Sequence, residues 1–207
     1  MLRIVPWLPP IFADRAEAGR VLAASVAEVA LDSPVVVGVA RGGVAVAMEM
    51  ARVLKAPLTA VAVASVIAEG RRLGVVTSGG QAASIEGRDV ADDDALARAR
   101  RAAEAVAARL DHEPLAIERR DAVVVDDGVI TGLTLAAACR WVRARGATRV
   151  IVASPVGRSD GLERLYAEAD LVICAHRLDD IAAVGQAYSS FEPLDEWYVA
   201  GLLAGAE

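Results

Sequence analysis

The apolar positions of this chain fall into two kinds of run. Short, unbroken β-branched stretches recur at Val35–Ala40, from Leu58 to about Ser65, at Asp121–Asp127 around Val123-Val124-Val125, at Val150–Ala153 and at Leu171–Ala175. Runs of that length without polar alternation fit strands buried on both faces. The segments between them carry apolar residues at helical spacing. Asp14 can cap a helix reaching about Leu31, with Val21, Leu22, Val26, Val29 and Ala30 on its inner face. Further helices are predicted over Val44–Leu54, from Asp92 to about Leu110, over about Thr131–Arg145 and over Ser159–Ala169. Asp92, Asp93 and Asp94 complement the positive end of their helix, and a solvated helix start accounts for them better than a metal site. Pro34, Pro57 and Pro114 punctuate the pattern, and Gly146 suits a helix C-terminus with positive φ.

Strands alternating with helices predict an α/β fold: a parallel five-stranded sheet with helices on both faces. A glycine-rich stretch from Val66 to Arg88 interrupts the alternation. Its two short apolar pieces, Leu73–Thr77 and Ala82–Ile85, predict a hairpin or flexible excursion. Residues 12–175 would form the core domain, with 1–13 and 176–207 packed on it as an arm and a small hood. Ligands of such sheets bind at the carboxyl ends of the strands, so the turns that follow strands are where chemistry is sought.

Composition narrows the reading. Hydrophobic residues make up 55% of the 207 but aromatics only 4%, so alanine and valine must build the core. A net charge of −6 argues against a general nucleic-acid binder, but not against an anionic ligand held by backbone N–H groups. Cys139 and Cys174 lack metal-ligand spacing and read as buried, reduced thiols, which suits a cytoplasmic protein. The start MLRIVPWLPPIF is broken by Pro6, Pro9 and Pro10 and does not read as a signal peptide, and no run is long enough for a membrane span.

One turn stands out. Val123-Val124-Val125-Asp126-Asp127-Gly128-Val129-Ile130-Thr131-Gly132-Leu133-Thr134 brings two carboxylates to the end of a buried strand, then glycines and hydroxyls, then a helix start. Glycines let backbone N–H groups close around a phosphate, and the helix N-terminus adds partial positive charge. Thr131 and Thr134 can donate to phosphate oxygens. Asp126 and Asp127 can hold sugar hydroxyls or organise a hydrated Mg2+. A second turn, Arg41-Gly42-Gly43, follows the first strand.

The first stretch resembles the 5-phosphoribosyl-1-pyrophosphate (PRPP) signature of type I phosphoribosyltransferases: a hydrophobic strand, two acidic residues and a Thr-Gly-x-Thr turn. The resemblance extends over about residues 12–200. Phe12-Ala13-Asp14-Arg15 with Ala18-Gly19, and Val184-Gly185-Gln186 with Tyr188, Phe191 and Asp195-Glu196, are similar to the two ends of a bacterial subgroup of stand-alone members. It implies that Asp126 and Asp127 bind the ribose hydroxyls, and that Gly128, Val129, Ile130, Thr131, Gly132, Leu133 and Thr134 wrap the 5-phosphate. It also implies that Arg41, Gly42 and Gly43 bind pyrophosphate, with a strained or cis peptide between Ala40 and Arg41. Catalytic roles would fall to Asp126, Asp127 and Arg41, the metal would be Mg2+ on Asp126 and Asp127, and the assembly a homodimer.

The middle of the chain departs from the subgroup, whose members carry Arg-Lys-Leu-Gly and a flexible loop after the second strand. Here Val63-Ala64-Ser65-Val66 has no basic pair. Either Arg71-Arg72-Leu73-Gly74 is a displaced counterpart, or Ala68-Glu69-Gly70 aligns further on and the loop is deleted. The function implied is transfer of phosphoribosyl from PRPP to an unidentified, nitrogenous acceptor with release of pyrophosphate. The alternative is a non-catalytic PRPP or nucleotide sensor, and an Asp126-dependent phosphatase is a weaker third. Ser154-Pro155-Val156-Gly157 and His176 are further candidates for an acceptor pocket, whereas His112 reads as a surface residue at a helix end. Trp141 reads as helix packing. Trp7 and Trp197, near the termini, would support the hood or a dimer contact.

Overall fold

The computed structural model describes residues 10–85, 92–110 and 115–206. Most of the expected arm, His112 and the end of the glycine-rich stretch lie outside them. In chain order the elements are α1 (Arg15–Ala27), β1 (Val35–Ala40), α2 (Gly42–Leu54), β2 (Leu58–Ala68), β3 (Arg71–Thr77), β4 (Ala82–Ser84), α3 (Asp93–Arg109), β5 (Asp121–Val125), α4 (Leu133–Arg143), β6 (Arg149–Gly157), α5 (Ser159–Leu165), β7 (Leu171–Arg177), a 3-10 turn (Val184–Ala187) and α6 (Glu196–Ala204).

The sheet has seven strands rather than the expected five, in the order β4-β3-β2-β1-β5-β6-β7. The five Val-rich runs form its parallel part, with β1 between β2 and β5. The two additional strands are the pieces read as a hairpin, and they extend the same sheet antiparallel beyond β2. Their short length and intervening glycines hid this. A hairpin that continues a strand already in a sheet needs little hydrophobic signal of its own.

Alternate side chains of the central strands feed two cores. Val35, Val37, Val124 and Val152 pack with Leu135, Ala138 and Trp141 of α4. Val36, Val123, Val125 and Ile151 pack on the other face with Leu22 and Val26 of α1, Val46 and Met50 of α2, and Leu203 of α6. Helix α3 covers the β2–β3 end, where Ala95 and Ala99 meet Val66 and Val76. The observed inner face of α1 is Ala18, Gly19, Leu22, Ala23 and Val26, whereas Val21 is 43% exposed. The helix is rotated from the expected face because it packs closely on α2: a Cβ built on Gly19 would lie 2.6 Å from the Val46 carbonyl oxygen.

Candidate active site

Strand β5 ends at Val125 and hands Asp126 and Asp127 to the sheet's carboxyl edge. The chain then turns instead of continuing the ladder. Val129 N–H donates to the Val156 carbonyl at 2.9 Å, and Arg158 N–H donates to the Val129 carbonyl at 2.9 Å. These bonds pin the turn to β6, which runs on past the end of β5. Arg164 Nε holds the Thr131 carbonyl at 2.9 Å. Gly132 sits at φ 73° immediately before α4, a conformation that favours glycine, and no side chain caps the helix. The first N–H groups of α4 are therefore left for a ligand or water.

A cavity of about 440 Å3 opens over this turn. Its walls include Asp126 through Gly132, Thr134 and Leu135 on one side, Ala182, Ala183 and Val184 on another, and Arg72 from β3. The structure thus brings together Asp126, Asp127, Gly128, Val129, Ile130, Thr131, Gly132 and Thr134. Leu133 departs from the expected set: its side chain is only 1% exposed within the core beneath α4, so its backbone N–H alone remains for the turn.

Arg41, Gly42 and Gly43 do not line the cavity. Gly42 and Gly43 stand against the carboxylate pair: a Cβ built on Gly42 would lie 1.9 Å from Asp127 Oδ2, and one on Gly43 2.9 Å from Asp126 Cα. Only glycine permits that approach of the α2 start to the β5 end. Arg41 is exposed, and the Ala40–Arg41 peptide is cis, as the family resemblance implied.

Asp126 is forced well above the usual carboxylate range by burial and by the adjacent Asp127 charge, and the Asp127 N–H bond to its Oδ1 (2.9 Å) offsets this only in part. Asp127 is also raised by burial, while Arg15 pulls in the opposite direction. Arg15 Nε meets Asp127 Oδ2 at 2.8 Å, with the two side chains 11% and 15% exposed. The same guanidinium donates to the Glu192 carbonyl at 3.0 Å and stacks 3.7 Å above the Phe191 ring. The Tyr188 hydroxyl donates to the Asp127 carbonyl at 2.6 Å, and burial pushes its pKa upward. Arg15, Tyr188 and Phe191 carry part of the family resemblance, but nothing in the sequence places them beside the carboxylates, because Arg15 lies 112 positions and Tyr188 61 positions from Asp127.

Other candidates fall away from the cavity. The buried Ser154 hydroxyl is spent on the Val156 carbonyl at 2.8 Å, and Val156 packs with Phe12. His176 is exposed on β7, edge-on to Phe12 with ring centroids 5.5 Å apart. Trp141 is core packing under Arg145, as the helix pattern suggested. Among the described residues no cluster of three or more His, Cys, Asp or Glu could hold a metal by itself.

A mostly parallel sheet flanked by helices, with a carboxylate-bearing strand, turn and helix at its carboxyl edge, defines an α/β protein of the type I phosphoribosyltransferase fold. The phosphoribosyl transferase domain family matches residues 14–191, and the chain belongs to that family. It is 36% identical over 200 residues to a Mycobacterium tuberculosis protein whose name places it provisionally among phosphoribosyl transferases. That match covers 87% of this chain and 44% of the relative, so the chain spans about half the length of the curated relatives it matches. The crystal structure of TT1426 from Thermus thermophilus superposes with a TM-score of 0.81 at 38% identity, covering 94% of this chain and 98% of that one. The AQ2163 protein of Aquifex aeolicus shares the fold at a TM-score of 0.52 and 14% identity, covering 84% and 85% of the two chains.

Proposed function

We propose that this chain binds PRPP in the Asp126–Thr134 cavity and transfers its phosphoribosyl group to a nitrogenous acceptor, releasing pyrophosphate. The observation that carries this reading is a cavity lined by both carboxylates, the glycine and threonine turn and the uncapped start of α4. In this reading the 5-phosphate accepts from the turn's N–H groups and from the Thr131 and Thr134 hydroxyls. The ribose hydroxyls donate to Asp126 and Asp127. Arg15 and the Tyr188 hydroxyl hold Asp127 in place from behind. Pyrophosphate departs toward the Gly42 and Gly43 amides and Arg41, where charge-assisted bonds stabilise it.

The C1–O bond to pyrophosphate breaks as the acceptor nitrogen bonds to C1, through a transition state of oxocarbenium character, and the acceptor's proton passes to a carboxylate of the pair. Two hard carboxylates fit Mg2+, which takes few protein ligands and completes its shell with water and substrate oxygens. Such an ion would neutralise the pyrophosphate charge. A homodimer is part of the reading through the family resemblance alone, and a cytoplasmic setting is supported by two free cysteines. No described helix is long and apolar enough to cross a membrane.

Incubation with Mg2+, PRPP and a panel of nitrogenous bases tests the reading, with acceptor-dependent pyrophosphate release expected. One observation favours the second reading, a non-catalytic sensor. β2 and β3 are joined by the two-residue turn Glu69-Gly70, with both φ positive, where a long loop would be needed to cover a reacting sugar. PRPP binding without release for any acceptor would establish that alternative.

A further inference from the structure

Arg72 has no place in the site as read so far, yet it lines the cavity. Its orientation follows from an irregularity in the sheet. Val66 of β2 is opposite Gly74 of β3, but the next residue, Ile67, is opposite Arg72. Leu73 is therefore an extra residue in β3, a β-bulge. Paired residues on adjacent strands share a face, and successive residues alternate. Val66 faces α3, packing with Ala95 and Ala99. Ile67 takes the opposite face, and Arg72 follows it. In a regular ladder, with Leu73 opposite Ile67, Arg72 would pair with Ala68 and share the face of Gly74 and Val76, toward α3. The bulge reverses it toward the face occupied by α4. Bulges beside functional sites often re-aim a side chain in this way.

The position favours one end of the cavity. Strand β3 packs on α4, the helix whose start forms the turn at Gly132. Arg72 lines the same cavity as Asp126 through Gly132, Thr134 and Leu135, whereas Arg41, Gly42 and Gly43 do not line it. Among the described residues the Arg72 guanidinium has no ion pair or hydrogen bond. A cation left unspent beside an uncapped helix start calls for a multiply charged anion.

We propose that Arg72, turned by the Leu73 bulge, is a binding residue for the 5-phosphate end of the ligand and not for its pyrophosphate end. The assignment rests on the reading of the cavity as a ribose-phosphate site. It makes the short β2–β3 hairpin a fixed source of positive charge that needs no closing loop.

Titration calorimetry with two separate probes, ribose 5-phosphate and inorganic pyrophosphate, tests it on wild type, Arg72→Gln and Arg72→Lys. Arg72 is exposed, so its replacement should leave the thermal midpoint unchanged. For Arg72→Gln the expected result is a loss of ribose 5-phosphate affinity of about tenfold or more, with pyrophosphate affinity within about twofold of wild type. Arg72→Lys should recover part of the loss. Unchanged ribose 5-phosphate affinity, or equal losses for both probes, overturns the assignment while leaving the cavity reading intact. If the wild-type protein binds neither ribose 5-phosphate nor PRPP, the cavity reading itself fails and takes the assignment with it.

Discussion

Asp126 and Asp127 occupy a site that is costly without a ligand. Burial raises both, and the Asp127 charge raises Asp126 further, so each favours its protonated form more in the folded chain than in the unfolded one. For a carboxylate raised on folding, the stability penalty is absent below the unfolded value, grows as pH rises through the folded value and is full above it. The unliganded protein should therefore lose stability as pH climbs from about 4. Asp126→Asn keeps the oxygen that accepts the Asp127 N–H and removes one charge. Urea unfolding at several pH values should find the variant more stable than wild type at pH 7. The gain should vanish toward pH 4, while PRPP affinity falls. A variant less stable than wild type at pH 7 would contradict this account of the pair.

Arg15 supplies the opposite case. It compensates Asp127 and stacks on Phe191, so Arg15→Gln should cost roughly 2–4 kcal/mol in urea unfolding, and a loss under about 0.5 kcal/mol would reduce the pair to a surface contact. None of this was legible from sequence position. The Asp-Asp-Gly-Val-Ile-Thr-Gly-Leu-Thr run announced itself because its parts are contiguous, and contiguity also drew Leu133 into the site although its side chain belongs to the core. Arg15 reaches the Asp127 carboxylate, and Tyr188 the Asp127 backbone carbonyl, through tertiary structure, which no local pattern encodes.

At the scale of elements, the strand–turn–helix from β5 to α4 carries the site. Gly132 is its tightest constraint: φ is 73°, and a Cβ there would lie 2.3 Å from the Gly161 carbonyl oxygen. Both faults act on backbone, so neither can be relieved by a rotamer change. Gly132→Ala should cost about 2–3 kcal/mol and disturb the first turn of α4, read by a lowered thermal midpoint and by weakened PRPP binding. Wild-type stability in that variant would mean that the turn is not held as described. The five parallel strands could be read from their valine runs because burial on both faces leaves no polar interruption. β3 and β4 could not be read as members of the sheet. Gly74 gives up a side chain where β4 crowds it, and β4 is three residues long. The bulge at Leu73 was equally hidden, because one inserted residue changes register without changing composition.

For the whole molecule, the packing of α1, the 3-10 turn and the segment around Phe191 against the carboxylates joins both ends of the described chain to the site. Ser189 N–H donates to the Phe12 carbonyl at 2.8 Å, and Arg15 reaches Glu192. Two surfaces bear on assembly. Among the described residues β7 is paired on one edge only, and Trp197 is 88% exposed. Sedimentation equilibrium should give twice the chain mass if the homodimer expected from family resemblance forms; a single-chain mass would remove that part of the account and leave the site untouched.

The central claim is that the Asp126–Thr134 cavity receives PRPP. A crystal structure of the protein soaked with PRPP and Mg2+ tests it most directly. The account predicts the 5-phosphate within the turn at residues 128–134, the ribose hydroxyls on Asp126 and Asp127, and the pyrophosphate toward Gly42 and Gly43. Density for the sugar phosphate elsewhere, or an empty cavity at a saturating concentration, would contradict it.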